Sequence, residues 1–122
     1  MRRRLGDWGE GLAAAHLEAK GYSIRQRNFR CREGEVDIVA EKGGCLVFVE
    51  VRTRRGQAMG SAGESVTGRK RGRLLAVARA YEQEHGDLPP ERRIDVITIA
   101  LSTAGKFLRL EHLEGAVVEG MA

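Results

Sequence analysis

The feature that most constrains this chain is a pair of apolar-rich runs, residues 35–41 and 45–52, separated by little more than Gly43-Gly44. Two successive glycines supply the positive φ angles of a two-residue hairpin turn, so the runs read as antiparallel strands. Counting outward from the turn sets Lys42 against Cys45, Ala40 against Val47, Ile38 against Val49 and Val36 against Val51. That face is wholly apolar. The same register opposes Val39 to Phe48, Asp37 to Glu50 and Glu35 to Arg52 on the other face, because side chains alternate along a strand. Two carboxylates are thereby expected to meet.

Directly opposed Cβ atoms lie about 4.5–5.5 Å apart, and like charges so placed destabilise the pair unless something compensates. A divalent cation, Mg²⁺ or Mn²⁺, would do so, since Mg²⁺ is commonly held by one or two carboxylates together with water and phosphate oxygens. Arg52, two residues beyond Glu50 on the same face, could then neutralise charge developing on a phosphate. The plainer alternative is a pair of solvated carboxylates with Arg52 bonded to Glu35, which contributes little. Val39 and Phe48 on the same face imply partial cover by another element, where unpaired acids are costly. That tilts the reading towards a site.

Around the hairpin, the pattern predicts a helix from Asp7 to Lys20 with Gly21 as its stop, then a strand over Ser23–Arg30. Residues 53–63 read as a mobile loop rich in glycine and small polar side chains. A second helix is predicted over Thr67–His85, with Leu74, Leu75, Ala78 and Tyr81 at helical spacing and Gly86 as its stop. After Pro89-Pro90, the run Arg93–Leu101 is apolar on both faces and reads as a strand inside a sheet. A short strand over Lys106–His112 follows, and residues 1–5 and 114–122 are expected to be flexible tails. The order is α-β-β-β-α-β-β.

The length of 122 residues fits one domain, 1–122. Aromatics at 5% are too sparse for an extended base-stacking platform, and a net charge of +4 suits a polyanionic partner. Arg54, Arg55, Arg69, Lys70, Arg71 and Arg73 could clamp a phosphate backbone, although such runs are often solvated helix faces. Cys31 and Cys45 have no metal-ligand spacing and read as reduced, cytoplasmic thiols. Arg2-Arg3-Arg4 is followed by Gly6, Asp7, Gly9 and Glu10 where an export signal needs an apolar run, and no segment is long enough to span a bilayer. His16, His85 and His112 are scattered and read as surface or structural residues. Glu10 stays open at this point, because Asp7-x-x-Glu10 matches a capping box and needs no catalytic role.

Residues 34–40, Gly-Glu-Val-Asp-Ile-Val-Ala, followed by Phe-Val-Glu-Val-Arg at 48–52, resemble the PD-(D/E)xK nuclease signature. The closer similarity is to the YraN-like family of uncharacterised bacterial proteins, carried by Gly9-Glu10, Gly34-Glu35, Asp37, Glu50, Arg54, Val66-Thr67, Lys70, Leu74 and Asp95-Val96. That family resembles in turn the archaeal Holliday junction resolvases. The resemblance implies an α/β, restriction-endonuclease-like core with a mixed sheet flanked by helices. It implies metal binding by Glu10, Asp37 and Glu50, a DNA partner and a homodimer. Arg52 stands where those nucleases commonly carry lysine; it can stabilise a transition state but is poorly suited to proton transfer. Lys70 is a candidate for the missing amine. The expectation is therefore a metal-dependent endonuclease acting on DNA, branched DNA included. The alternatives are a nucleic-acid-binding module of the same fold without activity, and a protein-interaction subunit with a basic face.

Overall fold

The computed structural model describes residues 3–56 and 68–117, and the side chains of 8–56 and 72–116. Helix α1 (Arg3–Ala19) is followed by strands β1 (Ser23–Cys31), β2 (Gly34–Lys42) and β3 (Cys45–Arg55). Helix α2 (Gly68–Glu84) then leads to β4 (Glu91–Leu101) and β5 (Phe107–Val117). The strands form one sheet in the order β1-β2-β3-β4-β5, antiparallel except for the β3–β4 pair, which is parallel across the α2 crossover. This is the predicted element order, an α/β fold consistent with a restriction-endonuclease-like core.

Each face of the sheet is closed by one helix. Ala13, Ala14 and Leu17 of α1 pack on Ile38, Ala40, Val47, Val49, Ile97 and Ile99, the face the hairpin count identified as apolar. On the other face Leu74, Val77, Ala78 and Tyr81 of α2 cover Phe29, Val39, Leu46, Phe48 and Ile94. Burying a side chain of this size contributes about 1.5–3 kcal/mol, so the two clusters supply the main driving force for the three-layer arrangement. Tyr81 is the centre of the second cluster, with the rings of Phe29 and Phe48 edge-on at 5.1 and 5.7 Å and its hydroxyl accepting from Arg25 Nε at 2.9 Å.

Several boundaries differ from expectation. Helix α1 starts at Arg3 rather than Asp7, so residues 3–5 are helical and Glu10 sits well inside the helix, where a capping box cannot explain it. β3 runs on to Arg55, because its pairing with β4 continues to Arg55–Leu101, and this removes the first residues of the expected 53–63 loop. Residues 57–63 lie outside the described residues. β5 continues to Val117 instead of stopping at His112, since Gly115 at φ 65° provides the irregularity through which the strand rejoins Ile94. Residues 114–117 are thus sheet, and 118–122 lie outside the described residues.

Val36 also changes place. The count put it with Ile38 and Ala40, but it packs beneath α2 with Phe29. Its neighbour strand carries Asn28 in the left-handed region at φ 57°, between the Arg27–Ile38 and Phe29–Val36 pairs, and strict alternation fails there.

Candidate active site

The hairpin register holds from Lys42–Cys45 to Ile38–Val49 and then stops. Beyond this point β2 stays with β1 as far as Cys31–Gly34, whereas β3 stays with β4, so the sheet forks between β2 and β3. Asp37 occupies the fork. Its Oδ2 accepts the backbone N–H of Val51 at 2.7 Å, which replaces a ladder bond with a side-chain one. The expected backbone pairs Asp37–Glu50, Val36–Val51 and Glu35–Arg52 are therefore not formed. Glu35 instead faces Arg30 of β1 at 3.1 Å, and Arg52 Nε lies 3.1 Å from Glu50 Oε2.

The fork opens into a cleft of about 310 Å³ lined by Glu35, Asp37, Glu50, Val51, Arg52, Arg73 and Leu74. Asp37 and Glu50 thus share a cavity, although not by the direct cross-strand opposition that spacing suggested. Burial, reinforced by the charges of Glu50, Glu10 and Glu35, pushes the Asp37 carboxyl up to about 7 against the opposing effect of the Val51 N–H. Burial also raises Glu50, and Arg52, Arg73 and Arg54 act in the opposite direction. A buried acid raised by its neighbours is the electrostatic form of a site that gains from a cation.

Glu10 enters from α1. Gly9 permits this, because a Cβ there would collide with Thr53 Oγ1. The helix therefore lies tight against β3 and delivers Glu10, which is 9% exposed, near enough for its charge to act on Asp37. Its Oε1 is buried with no hydrogen-bond partner among the described residues, and the Arg27 guanidinium is 3.6 Å away. Gly34 has a matching role on the other side. At φ 144° it leaves room for the stem of Arg73, whose Cδ would be 3.0 Å from an added Cβ. Neither glycine role was read from the sequence, although both immediately precede a glutamate in Gly9-Glu10 and Gly34-Glu35.

All four candidate catalytic residues lie in or beside the fork, and Arg73 joins them. Arg54 contributes its charge to Glu50, while Arg55 is exposed at the end of β3. The side chains of Arg69, Lys70 and Arg71 lie outside the described residues. Among the described residues no group of three or more His, Cys, Asp or Glu is placed to hold a metal ion. Two carboxylates sharing the cleft, Asp37 and Glu50, are a donor set that could take a hard divalent cation only if water and phosphate oxygens filled its remaining positions.

A second polar cluster was missed. Asp95 on β4 is fully buried and accepts from Arg93 Nε and Nη2 at 2.9 and 3.0 Å, from the Gly115 N–H at 2.9 Å and from His112 Nε2 at 2.8 Å. His112 Nδ1 in turn lies 3.3 Å from His16 Nε2, and Arg93 also donates to the Tyr22 hydroxyl. His16 and His112 are thus joined across 96 positions of sequence, contrary to their reading as scattered residues. Only His85 stands apart, stacked on Tyr81 and bonded to its carbonyl at 2.9 Å at the end of α2.

Among the described residues no helix is long and apolar enough to cross a membrane. The model of the uncharacterised protein family UPF0102 matches residues 9–99. A UPF0102 protein of Roseiflexus castenholzii is 50% identical over 120 residues, covering 97% of this chain and 96% of its own. One from Pelotomaculum thermopropionicum is 48% identical over 115 residues, covering 94% and 96%. A third, from Symbiobacterium thermophilum, is 46% identical over 116 residues, covering 95% and 98%. With the match running through both glycine–glutamate pairs, the forked hairpin and Asp95, the chain belongs to the UPF0102 (YraN-like) family of bacterial proteins.

Proposed function

We propose that this protein is a metal-dependent phosphodiesterase of the cytoplasm, acting on DNA at the fork between β2 and β3. The observation that carries the reading is the meeting of Asp37 and Glu50 with Arg52 and Arg73 in one cleft, with the Asp37 carboxyl raised to about 7. Asp37 and Glu50 would hold Mg²⁺ or Mn²⁺, with Glu10 adding its negative charge at Asp37 rather than completing a three-carboxylate set. When bound, such an ion supplies a water of lowered pKa and a counter-charge for the phosphate. Arg73 reaches over Gly34 into the cleft to draw a phosphodiester in, and Arg52 stabilises the charge that builds on it. Arg54 and Arg55, continuing along β3, extend the positive track for the backbone.

The test is calorimetric titration of Mg²⁺ and Mn²⁺ into the wild type and an Asp37→Ala, Glu50→Ala double variant, followed by cleavage assays on junction, flap and single-stranded DNA. Metal heat and cleavage that vanish together in a folded double variant support the proposal. Cleavage that survives both substitutions overturns it.

The 3.1 Å contact between Arg52 and Glu50 favours one second reading. With an arginine already neutralising one of the two carboxylates, the same cleft and cations could serve as a binding module that grips nucleic acid without cutting it. This reading predicts salt-sensitive binding that needs no metal.

A further inference from the structure

The Asp95 cluster ends in two imidazoles that the cleft does not use. His112 Nδ1 and His16 Nε2 face each other at 3.3 Å, with their ring planes at 73°. Asp95 sets their roles. Its carboxyl is held below the ordinary range and offers only lone pairs, so His112 Nε2, at 2.8 Å, carries the proton of that bond. His112 Nδ1 therefore turns a lone pair towards His16. The ring is fixed there, since the His112 side chain is 4% exposed and stands beside the Tyr22 ring at 6.1 Å. His16 is half-buried on α1, which leaves the pair open to solvent from that side.

Two imidazole nitrogens bound at about 2.0–2.1 Å to one tetrahedral Zn²⁺ stand about 3.3 Å apart, which is the separation found between the two rings. We propose that His16 Nε2 and His112 Nδ1 are the protein ligands of a Zn²⁺ site that joins α1 to β5, with water in the remaining positions. Imidazole nitrogen suits this ion. The Asp95–His112 bond is the carboxylate–histidine–zinc arrangement that fixes a ligand's tautomer and raises its basicity. Asp95 thus acts behind the ligand and keeps its own hydrogen bonds.

Burial, His112 and Lys20 hold His16 below its ordinary 6.5, so at neutral pH the ring carries one proton. Zn²⁺ takes the place of that proton between the rings, and the proton moves to His16 Nδ1, so the ring stays neutral and none is released. Lys20 and Arg93 oppose a cation here. Asp95 beside Arg93, and Glu114 at 3.7 Å from Lys20 Nζ and 3.8 Å from Arg93 Nη1, offset them. Among the described residues no third His, Cys, Asp or Glu completes the set, so the site is a clip with an open side and not a closed four-ligand centre. Its nitrogen donors also distinguish it from the cleft, whose carboxylates suit a harder ion.

The experiment is calorimetric titration of Zn²⁺ at pH 7.5 into the full chain carrying Asp37→Asn and Glu50→Gln, which removes the cleft carboxylates. It is run with His16 intact, with His16→Ala and with His16→Gln, and circular dichroism establishes that each chain is folded. One Zn²⁺ per chain is expected with His16 intact. Either substitution should weaken binding at least about tenfold, the smallest cost seen even for loss of an outer partner of a ligand. In ¹⁵N spectra Zn²⁺ should shift His16 Nε2 and His112 Nδ1 and leave His85 unmoved. No Zn²⁺ binding with His16 intact overturns the proposal. So does an affinity that stays within tenfold in a folded His16 variant. Because the cleft carboxylates are absent throughout, the outcome does not depend on the cleft being a metal site.

Discussion

Asp37 on β2 and Asp95 on β4 are both drawn into the central sheet, yet the fold handles them in opposite ways. Around Asp95 the hydrogen bonds from His112, Arg93 and the Gly115 N–H, with the charge of Arg93, outweigh its burial and hold the carboxyl below the usual range. Around Asp37 burial is opposed by a single backbone N–H, while three neighbouring glutamates add to it and the carboxyl rises to about 7. A saturated carboxylate stabilises the fold and has little capacity left for a ligand. One surrounded by like charge costs stability and gains from any cation that arrives. The contrast separates an aspartate whose hydrogen bonds are saturated from one left open to a cation.

The largest effect should follow from breaking the saturated partner. Asp95→Ala leaves Arg93 and His112 without their shared acceptor in a closed interior, and removal of one member of such a cluster typically costs about 3–5 kcal/mol. Urea denaturation monitored by circular dichroism should show a loss of this order, a large part of the stability of a domain of this size. A loss below about 1 kcal/mol, the scale of an exposed ion pair, would remove the distinction between the two aspartates.

The two residues were also unequally legible. The hairpin, its turn and the pairs from Lys42–Cys45 to Ile38–Val49 follow from Gly43-Gly44 and alternation, which are local rules. The fork does not, because it depends on β3 choosing β4 as its partner and on Asp37 capturing the Val51 N–H. Counting therefore brought Asp37 and Glu50 to one place in the sheet but gave the wrong contact between them. Asp95 was visible only as part of a family motif. Its partners come from α1, β4 and β5, and no sequence period brings residues 16, 95 and 112 together. Gly9 and Gly34 were likewise legible as residues beside glutamates, while the close approaches that require them exist only between elements.

The next effect reverses the sign of the first. An acid whose folded pKa is about 7 and whose ordinary value is 3.8 binds its proton more tightly when folded. Its contribution to stability is therefore fully present below about pH 4 and is lost as pH rises through 7. Asp37→Asn keeps an oxygen for the Val51 N–H and removes the ionisation. Near pH 8 without metal it should be more stable than the wild type by about 2–4 kcal/mol, and the difference should shrink towards pH 5. Thermal melts across that range in the presence of chelator give the measurement, and equal stability at pH 8 would mean that Asp37 does not carry the strain assigned to it. Excess Mg²⁺ should narrow the gap by stabilising the wild type alone, since a ligand bound to the folded state adds stability by mass action.

The smallest effect asks how far the Asp95 cluster reaches. His16 touches it only through the 3.3 Å contact with His112, at the partly exposed end of the chain of bonds. Burial and the neighbouring His112 hold its pKa below the ordinary 6.5, so the folded protein resists protonating it. The sign is that of a group with a lowered cationic pKa: the unfolded chain takes up the proton first, and stability falls as pH drops below 6.5. His16→Ala should therefore cost only about 0.5–1.5 kcal/mol at pH 7.5, the worth of one hydrogen bond, and should lose less on acidification than the wild type does. Chemical denaturation at pH 7.5 and 5.5 measures both. If His16→Ala instead matches Asp95→Ala in cost, the two histidines and the aspartate act as one unit, and the saturated half of the comparison extends from β5 into α1.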